Sequence, residues 1–160
     1  MASFYMQWHG PNGLKKIANK VRFMSQIFME DLESYGYVFG TDKNNHFDTV
    51  AIDVKASGFT SSDYVQAQFH KYGINVRKVD DRYISVSFDE VTSLYDLDEL
   101  IEIFCGLKTK KFSKSSGSQY EQYEKRIHKP VPSDIARTSP YMLQKQYKMK
   151  FSETNMMRYI

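Results

Sequence analysis

Segments of helical periodicity alternate with segments of extended periodicity along this chain, and their order leaves few architectures open. Apolar residues recur at steps of three and four over residues 14–35, which predicts a long amphipathic helix. The Gly-Pro-Asn-Gly stretch at 10–13 precedes this helix and Gly36 follows it, as helix breakers do. Strand candidates at 37–39 and 47–54 come next, and the second alternates in the two-residue period of a half-buried strand.

The middle of the chain repeats this order. Thr60-x-x-Asp63 has the pattern of a helix cap. The helix after it is predicted to end at Gly73 and to bury three side chains, Val65, Phe69 and Tyr72. Two strands are predicted at 74–79 and 83–88, joined by a tight turn at Asp80-Asp81.

A third helix completes the pattern. Ser93-x-x-Asp96 predicts its cap, and its apolar stripe consists of Leu94, Leu97, Leu100, Ile101 and Phe104. Short connections in this order predict an α+β fold in which helices cover one face of a mixed or antiparallel sheet. We expect this domain to span residues 1–106. A basic linker or insertion is predicted at 107–131, and a connecting segment that begins another helix at 132–160.

Charge is divided unevenly along the chain. Residues 1–105 carry 10 Lys and Arg against 15 Asp and Glu, a net of −5, whereas residues 106–160 carry 12 against 4, a net of +8. The basic run 108–114 suits either a solvated linker or a nucleic-acid contact. The acidic domain before it, and the absence of the RNP1 pattern from residues 83–88, favour the linker.

Several classes of protein are disfavoured. Hydrophobic residues make up 41% of the 160 residues, enough for one domain with a core. The single cysteine, Cys105, forms no internal disulfide, and we interpret it as a buried core residue rather than a nucleophile. No apolar run is long enough to span a membrane, and no targeting segment precedes Gly10. Four widely spaced histidines predict no zinc site.

The usual signatures of catalysis are missing, including a Walker loop, a dinucleotide fingerprint, HExxH and G-x-S-x-G. Asp89-Glu90 at a strand end suits either an acid/base pair or the start of the next helix. Arg77 within a strand suits either anion binding or an internal salt bridge. Ser152 is a predicted helix cap, and Glu153 lies in the first turn after it. These five positions are the candidates for a site, and we assign a catalytic, cofactor-binding or metal-binding role to none of them.

Apolar residues near both ends of the chain lack an obvious core. They are Phe4, Trp8, Met156, Met157, Tyr159 and Ile160. Exposed apolar surface of this kind predicts either a partner or a tendency to aggregate.

Six blocks of sequence resemble, in the right order, the P-protein family of the glycine cleavage system. They are HGPNGLKKIANKV at 9–21, HFDTVAID at 46–53, INVRKVDDRYISVSFDE at 74–90, DLDELIEIF at 96–104, ARTSPYM at 136–142 and FSETNMMRYI at 151–160. Any one block is weak evidence, but six with similar spacing are specific. The resemblance covers nearly all of the chain except about residues 107–131.

The resemblance implies a fold and a role. P-proteins are similar to fold-type-I pyridoxal phosphate enzymes and have two homologous halves, of which the C-terminal half carries the lysine that binds the cofactor. The blocks found here match the small domain of the cofactor-free N-terminal half and the connection that follows it. The family decarboxylates glycine and transfers the aminomethyl group to the lipoyl arm of H-protein. Its eukaryotic members are mitochondrial, so the resemblance implies the mitochondrial matrix for a eukaryotic source and the cytoplasm otherwise.

The sequence departs from the family pattern in three ways. It lacks a large domain and the catalytic half, so we expect pyridoxal phosphate to be bound outside this chain. Met142-Leu143-Gln144 stands where the family usually has Leu-Thr-His, and Lys150-Phe151 stands where a Tyr-His pair usually precedes Ser-Glu-Thr. Both changes remove histidines near the catalytic half and place activity in question.

Three hypotheses follow. In the first, the chain is a supporting domain of a glycine dehydrogenase (decarboxylating), inactive alone and partnered by the remaining P-protein domains or a separate catalytic half. In the second, it is a non-catalytic interaction subunit that docks a partner through residues 1–8 and 156–160. The third, an RNA-binding module, is disfavoured by the acidic domain.

Overall fold

A computed structural model describes residues 1–110, 136–149 and 151–160. These residues form two compact units, one from residues 1–19 with 136–149 and 151–160, and the other from residues 20–110. The elements in chain order are α1 (Ala2–Ser34), β1 (Val38–Phe39), β2 (Thr49–Asp53), α2 (Ser62–His70), β3 (Arg77–Lys78), β4 (Tyr83–Ser87), α3 (Leu94–Leu107), a 3-10 turn (Lys145–Lys148) and α4 (Glu153–Tyr159). The predicted alternation of helices and strand pairs is confirmed. Most of the predicted basic segment 107–131, from residue 111 onward, lies outside the described residues, as do residues 132–135.

The sheet lies in the second unit, within residues 20–110. Its strand order is β1-β2-β4-β3, and each neighbouring pair is antiparallel. Val50 pairs with Val86 and Ile52 with Ile84, so these four side chains share one buried face. The predicted α+β fold class is confirmed, with an antiparallel sheet.

Aromatic side chains from the helices fill the core against this face. The Phe104 ring on α3 lies 4.6 Å from Phe69 on α2 and 5.6 Å from Phe28 on α1, measured between centroids. Tyr37 packs edge-on against Phe104 at 5.2 Å, and its hydroxyl donates a 2.7 Å hydrogen bond to the Phe104 carbonyl. Three helices are thereby tied to one cluster.

Two glycines shape α1, one at an internal break and one after its last residue. Gly10 adopts φ 64° and ψ 177°, which interrupts the helix, and the helical path resumes at Pro11. The predicted start at residue 14 is therefore wrong, because residues 2–9 and 11–13 are helical as well. After the last residue of α1, Gly36 has φ 79°, and the Tyr37 and Gly36 amides donate to the carbonyls of Leu32 and Glu33. This is a Schellman cap, and it confirms Gly36 as the helix stop.

The prediction for α2 was correct for two of its buried residues and wrong for Tyr72 and for the capping residue. Val65 and Phe69 are fully buried as expected, but Tyr72 is 62% exposed. The capping residue is Ser61, not Thr60, since the Ser61 hydroxyl accepts from the Tyr64 amide at 3.2 Å. The helix ends at His70, and the turn after it closes at Gly73 with a positive φ. Tyr72 therefore lies in that turn and leaves the buried face.

The β3–β4 hairpin is present, although β3 is shorter than the predicted strand at 74–79. The Asp80 carboxylate accepts from the amides of Arg82 at 2.7 Å and Tyr83 at 2.8 Å. Because the Asp80 side chain accepts hydrogen bonds from the backbone of the turn in which it lies, the hairpin forms without a glycine.

The capping box of α3 is confirmed, because Ser93 accepts from the Asp96 amide while Asp96 accepts from the Ser93 amide. Cys105 is fully buried, which confirms it as a core residue. Burial raises the pKa of its thiol to about 11, so the thiol stays protonated at neutral pH.

The first unit has a much smaller core. Met156 on α4 is buried, and Phe4 packs edge-on against Tyr159 with centroids 6.2 Å apart. The buried Gln7 amide donates to the Tyr159 hydroxyl at 2.9 Å. The Tyr141 hydroxyl donates to the Pro11 carbonyl at 2.6 Å. This bond connects the segment that follows residue 136 to the residue at which α1 resumes after its break.

Candidate functional site

The strand-end carboxylate Asp89 is committed to a turn. Its Oδ1 accepts from the Val91 amide at 3.0 Å, from the Thr92 amide at 2.9 Å and from the Thr92 hydroxyl at 2.9 Å. The Thr92 hydroxyl and amide bonds lower the pKa of the Asp89 carboxyl, which therefore stays ionised at neutral pH. Next to it, the Glu90 carbonyl accepts from the Lys20 ammonium at 2.8 Å. The geometry suits a turn that leads into α3 better than a proton-transfer pair.

Arg77 lies on β3, opposite Ser85 of β4, and its side chain is exposed. Water screens the charge of an exposed guanidinium at a sheet edge. Such a group binds an anion only weakly unless other hydrogen-bond donors assist it.

Ser152 and Glu153 lie in the other unit. The Ser152 hydroxyl accepts from the Asn155 amide at 3.2 Å and caps α4, with Glu153 in the first turn, as predicted. Roles as site residues stay predictions for all five positions.

A pair that the sequence patterns did not single out is Asp53 with Arg82. Asp53 is only 3% exposed at the end of β2, and its Oδ2 accepts from Arg82 Nε at 2.7 Å. Its Oδ1 accepts from the Ala56 amide at 2.9 Å. The Arg82 guanidinium, together with the hydrogen bond from the Ala56 amide, lowers the pKa of the Asp53 carboxyl. The sequence offered one signal for this pair, an aspartate at the end of a strand with alternating pattern. It did not identify Arg82 as the partner, because Arg82 lies 29 residues away in sequence.

Burial lowers the pKa of Lys108, which lies at the C-terminal end of α3. Its Nζ donates to the Gly36 carbonyl at 2.5 Å and lies 4.3 Å from the centre of the Tyr37 ring. These contacts hold the α3 C-terminus to the end of α1. The ammonium is therefore engaged by structural contacts and faces no described cavity.

The first unit contains an open groove of about 520 Å³ beside the break at Gly10. Its walls are formed by Gln7, Trp8, His9, Gly10, Pro11, Asn12, Tyr147, Lys148, Met149 and Phe151. Trp8 is 62% exposed there, and Met149 is 47% exposed. The sequence indicated that Trp8 is an uncovered apolar residue but did not indicate that Tyr147, Met149 and Phe151 would line the same groove.

The described residues do not fit a pyridoxal phosphate site. Such a site needs a desolvated lysine amine in an enclosed pocket. Lys108 donates to a carbonyl and lies over a ring, and Lys148 is an exposed residue of an open groove whose lining, as far as the structure describes it, contains no Asp or Glu. We therefore derive no chemical step through this cofactor from these residues.

A search of the described residues for metal-binding clusters of His, Cys, Asp and Glu finds none. In the same part of the chain, none of the helices combines the length and apolar character needed to cross a membrane.

Comparison with known proteins adds a family match. Residues 1–104 match the family described as glycine cleavage system P-protein. The chain is 34% identical over 161 residues to glycine dehydrogenase (decarboxylating) of Pelagibacter ubique, and 32% over 160 residues to that of Photobacterium profundum. It is 33% identical over 160 residues to glycine dehydrogenase (decarboxylating) 1, mitochondrial, of Arabidopsis thaliana.

These alignments cover 100% of this chain but only 15%, 15% and 14% of the respective relatives. The chain thus spans about one seventh of the length of the curated proteins that it matches. Among solved structures, a NifS-like protein is similar with a TM-score of 0.54 and 14% identity, covering 61% of this chain and 30% of that one. At this identity the likeness shows the fold alone.

Proposed function

The chain belongs to the glycine cleavage system P-protein family, and we propose that it serves as a supporting domain of a glycine dehydrogenase (decarboxylating). The observation that carries this proposal is the alignment of all of its residues, at 31–34% identity, with one region of enzymes bearing that name. The buried aromatic core and the structural engagement of Asp89 and Lys108 support a scaffolding role rather than a catalytic one.

Under this proposal the chemistry takes place outside these 160 residues. Pyridoxal phosphate, bound by a catalytic half, supplies the electron sink that decarboxylation of glycine requires. H-protein then receives the aminomethyl group on its lipoyl arm. In a eukaryotic source the assembly belongs in the mitochondrial matrix, in keeping with relatives whose names state that they are mitochondrial.

The direct test is to purify the chain with whatever it binds in its native source and to identify the partner by mass spectrometry. We expect a lysine-bearing P-protein half, the absorbance of pyridoxal phosphate in the complex, and glycine decarboxylation in the presence of lipoylated H-protein. A matched preparation containing Phe104→Ala, which removes the centre of the core, should recover less partner and less activity. Full activity of the partner without this chain would contradict the proposal.

A second candidate is a non-catalytic interaction subunit of another assembly. It is favoured by one observation, the exposure of Trp8, Met157 and Ile160 at 62%, 69% and 75%. Recovery of a defined assembly that lacks both the cofactor absorbance and glycine decarboxylation would establish this candidate in place of the first.

A further inference from the structure

The groove in the first unit, defined above by its lining residues 7–12, 147–149 and 151, carries an inference that does not depend on the proposed enzyme. We propose that it docks an acidic segment of a partner polypeptide that also carries apolar side chains. Two features of the groove favour this occupant: the positive charge of Lys148 and the apolar walls.

The charge of the groove is one-sided. Lys148 lines it, and its described lining contains no Asp or Glu. The sequence ranges that form this unit, 1–19 and 131–160, carry seven Lys and Arg against two Asp and Glu. Such a surface attracts acidic partners and repels basic ones, which gives it selectivity for a segment with carboxylates.

The walls of the groove are suited to apolar side chains that lie between the carboxylates of the partner segment. Trp8 and Met149 are exposed, and Phe151 is half-buried. Burial of apolar surface contributes about 25 cal/mol per Å², so a partner side chain that covers Trp8 and Met149 gains affinity from contact area as well as charge. A purely hydrophilic acidic tail would leave these walls uncovered.

The chain provides its own reporter for a test, since Trp8 is its single tryptophan. The probes are the synthetic peptide acetyl-Glu-Leu-Glu-Phe-Glu-amide and a neutral twin with Gln in place of each Glu. At low ionic strength we expect saturable changes in Trp8 fluorescence on titration of the 160-residue chain. Affinity for the acidic peptide should be at least tenfold higher than for the neutral twin, and this preference should shrink as salt screens the charges.

Two charge reversals locate the site. Lys148→Glu should abolish the preference for the acidic peptide. Lys16→Glu, which changes the net charge equally at an exposed residue outside the groove lining, should retain it. If Lys148→Glu alters the circular dichroism of the chain, Lys148→Gln replaces it, with an intermediate loss of preference expected.

Three results would overturn the proposal. They are the absence of any saturable fluorescence change with either peptide, equal affinity for both peptides, and equal weakening by the two charge reversals. The last result would mean that only the net charge of the chain attracts the peptide.

Discussion

The two units of this molecule differ in how many apolar side chains they bury. Among the described residues, 21 apolar side chains are buried in residues 20–110, whereas Met156 alone is buried in the unit from 1–19 and 136–160. The larger unit has an apolar core of the kind that a small domain needs in order to fold. The smaller unit leaves Trp8, Met157 and Ile160 exposed, so its apolar surface points to something that it binds.

The largest expected effect separates the two cores. Phe104→Ala should lower the free energy of unfolding of residues 20–110 by about 3–5 kcal/mol, because the Phe104 ring touches Phe28, Phe69 and Tyr37. Met156→Ala should instead alter the urea transition seen by Trp8 fluorescence and leave the midpoint seen by far-ultraviolet circular dichroism nearly unchanged. Equal shifts of both transitions in both variants would show that the two units unfold as one.

A pair of glycine substitutions tests how closely the larger unit is packed. A Cβ added to Gly40 would lie 2.7 Å from Cε1 of Tyr83, so Gly40→Ala should destabilise by about 1–3 kcal/mol. Gly106 lies within α3, where an added Cβ meets nothing within 4 Å, and Gly106→Ala should stabilise by up to about 1 kcal/mol. Denaturant titrations check both values, and effects of the same sign would contradict the packing described for Tyr83.

Helix caps provide a smaller, matched comparison. Ser93→Ala removes the capping box of a 14-residue helix that packs on the core and should cost about 1 kcal/mol. Ser152→Ala removes the cap of the seven-residue α4 and should cost less, because α4 contributes one buried residue. Thermal unfolding of the two variants measures the difference. A larger loss for Ser152→Ala would mean that the smaller unit is better ordered than its burial indicates.

The smallest expected effect is one of pH. The folded-state pKa of Asp53 is lowered by Arg82, so the ionised carboxylate contributes stability that is fully present above its unfolded pKa of about 3.9. This contribution is lost as pH falls through the folded pKa. Asp53→Asn should therefore be less stable than the parent chain at pH 7, and the difference should narrow in acid. Unfolding titrations between pH 2 and 7 check this. If the difference in unfolding free energy between Asp53→Asn and the parent chain stays constant with pH, ionisation of Asp53 does not contribute to stability.

Much of the larger unit was predictable because its signals are local. The two-residue alternation of residues 47–54 identified β2, and Ser93-x-x-Asp96 identified the cap of α3. The errors also have local causes. Adjacent Thr60, Ser61 and Ser62 offer similar hydroxyls, so the sequence did not reveal which one caps α2. Tyr72 continues the helical spacing, but the turn closed by Gly73 carries it out of the core.

The candidate site residues show the same division. Ser152 was identified as a cap from its position alone, since capping needs only the three residues that follow. The partners of Asp89 also lie within three residues, yet the sequence left open whether this carboxylate served a turn or a proton transfer.

Periodicity, caps and the six P-protein blocks were readable from the order of residues, because each depends on neighbours within a few positions. Three features could not be predicted in this way. They are the contact of buried Asp53 with Arg82, the contacts of Lys108 with Gly36 and Tyr37, and the groove lined by residues 7–12, 147–149 and 151. Each of these joins segments that are 29 to more than 100 residues apart, and such contacts exist only once the intervening chain has packed.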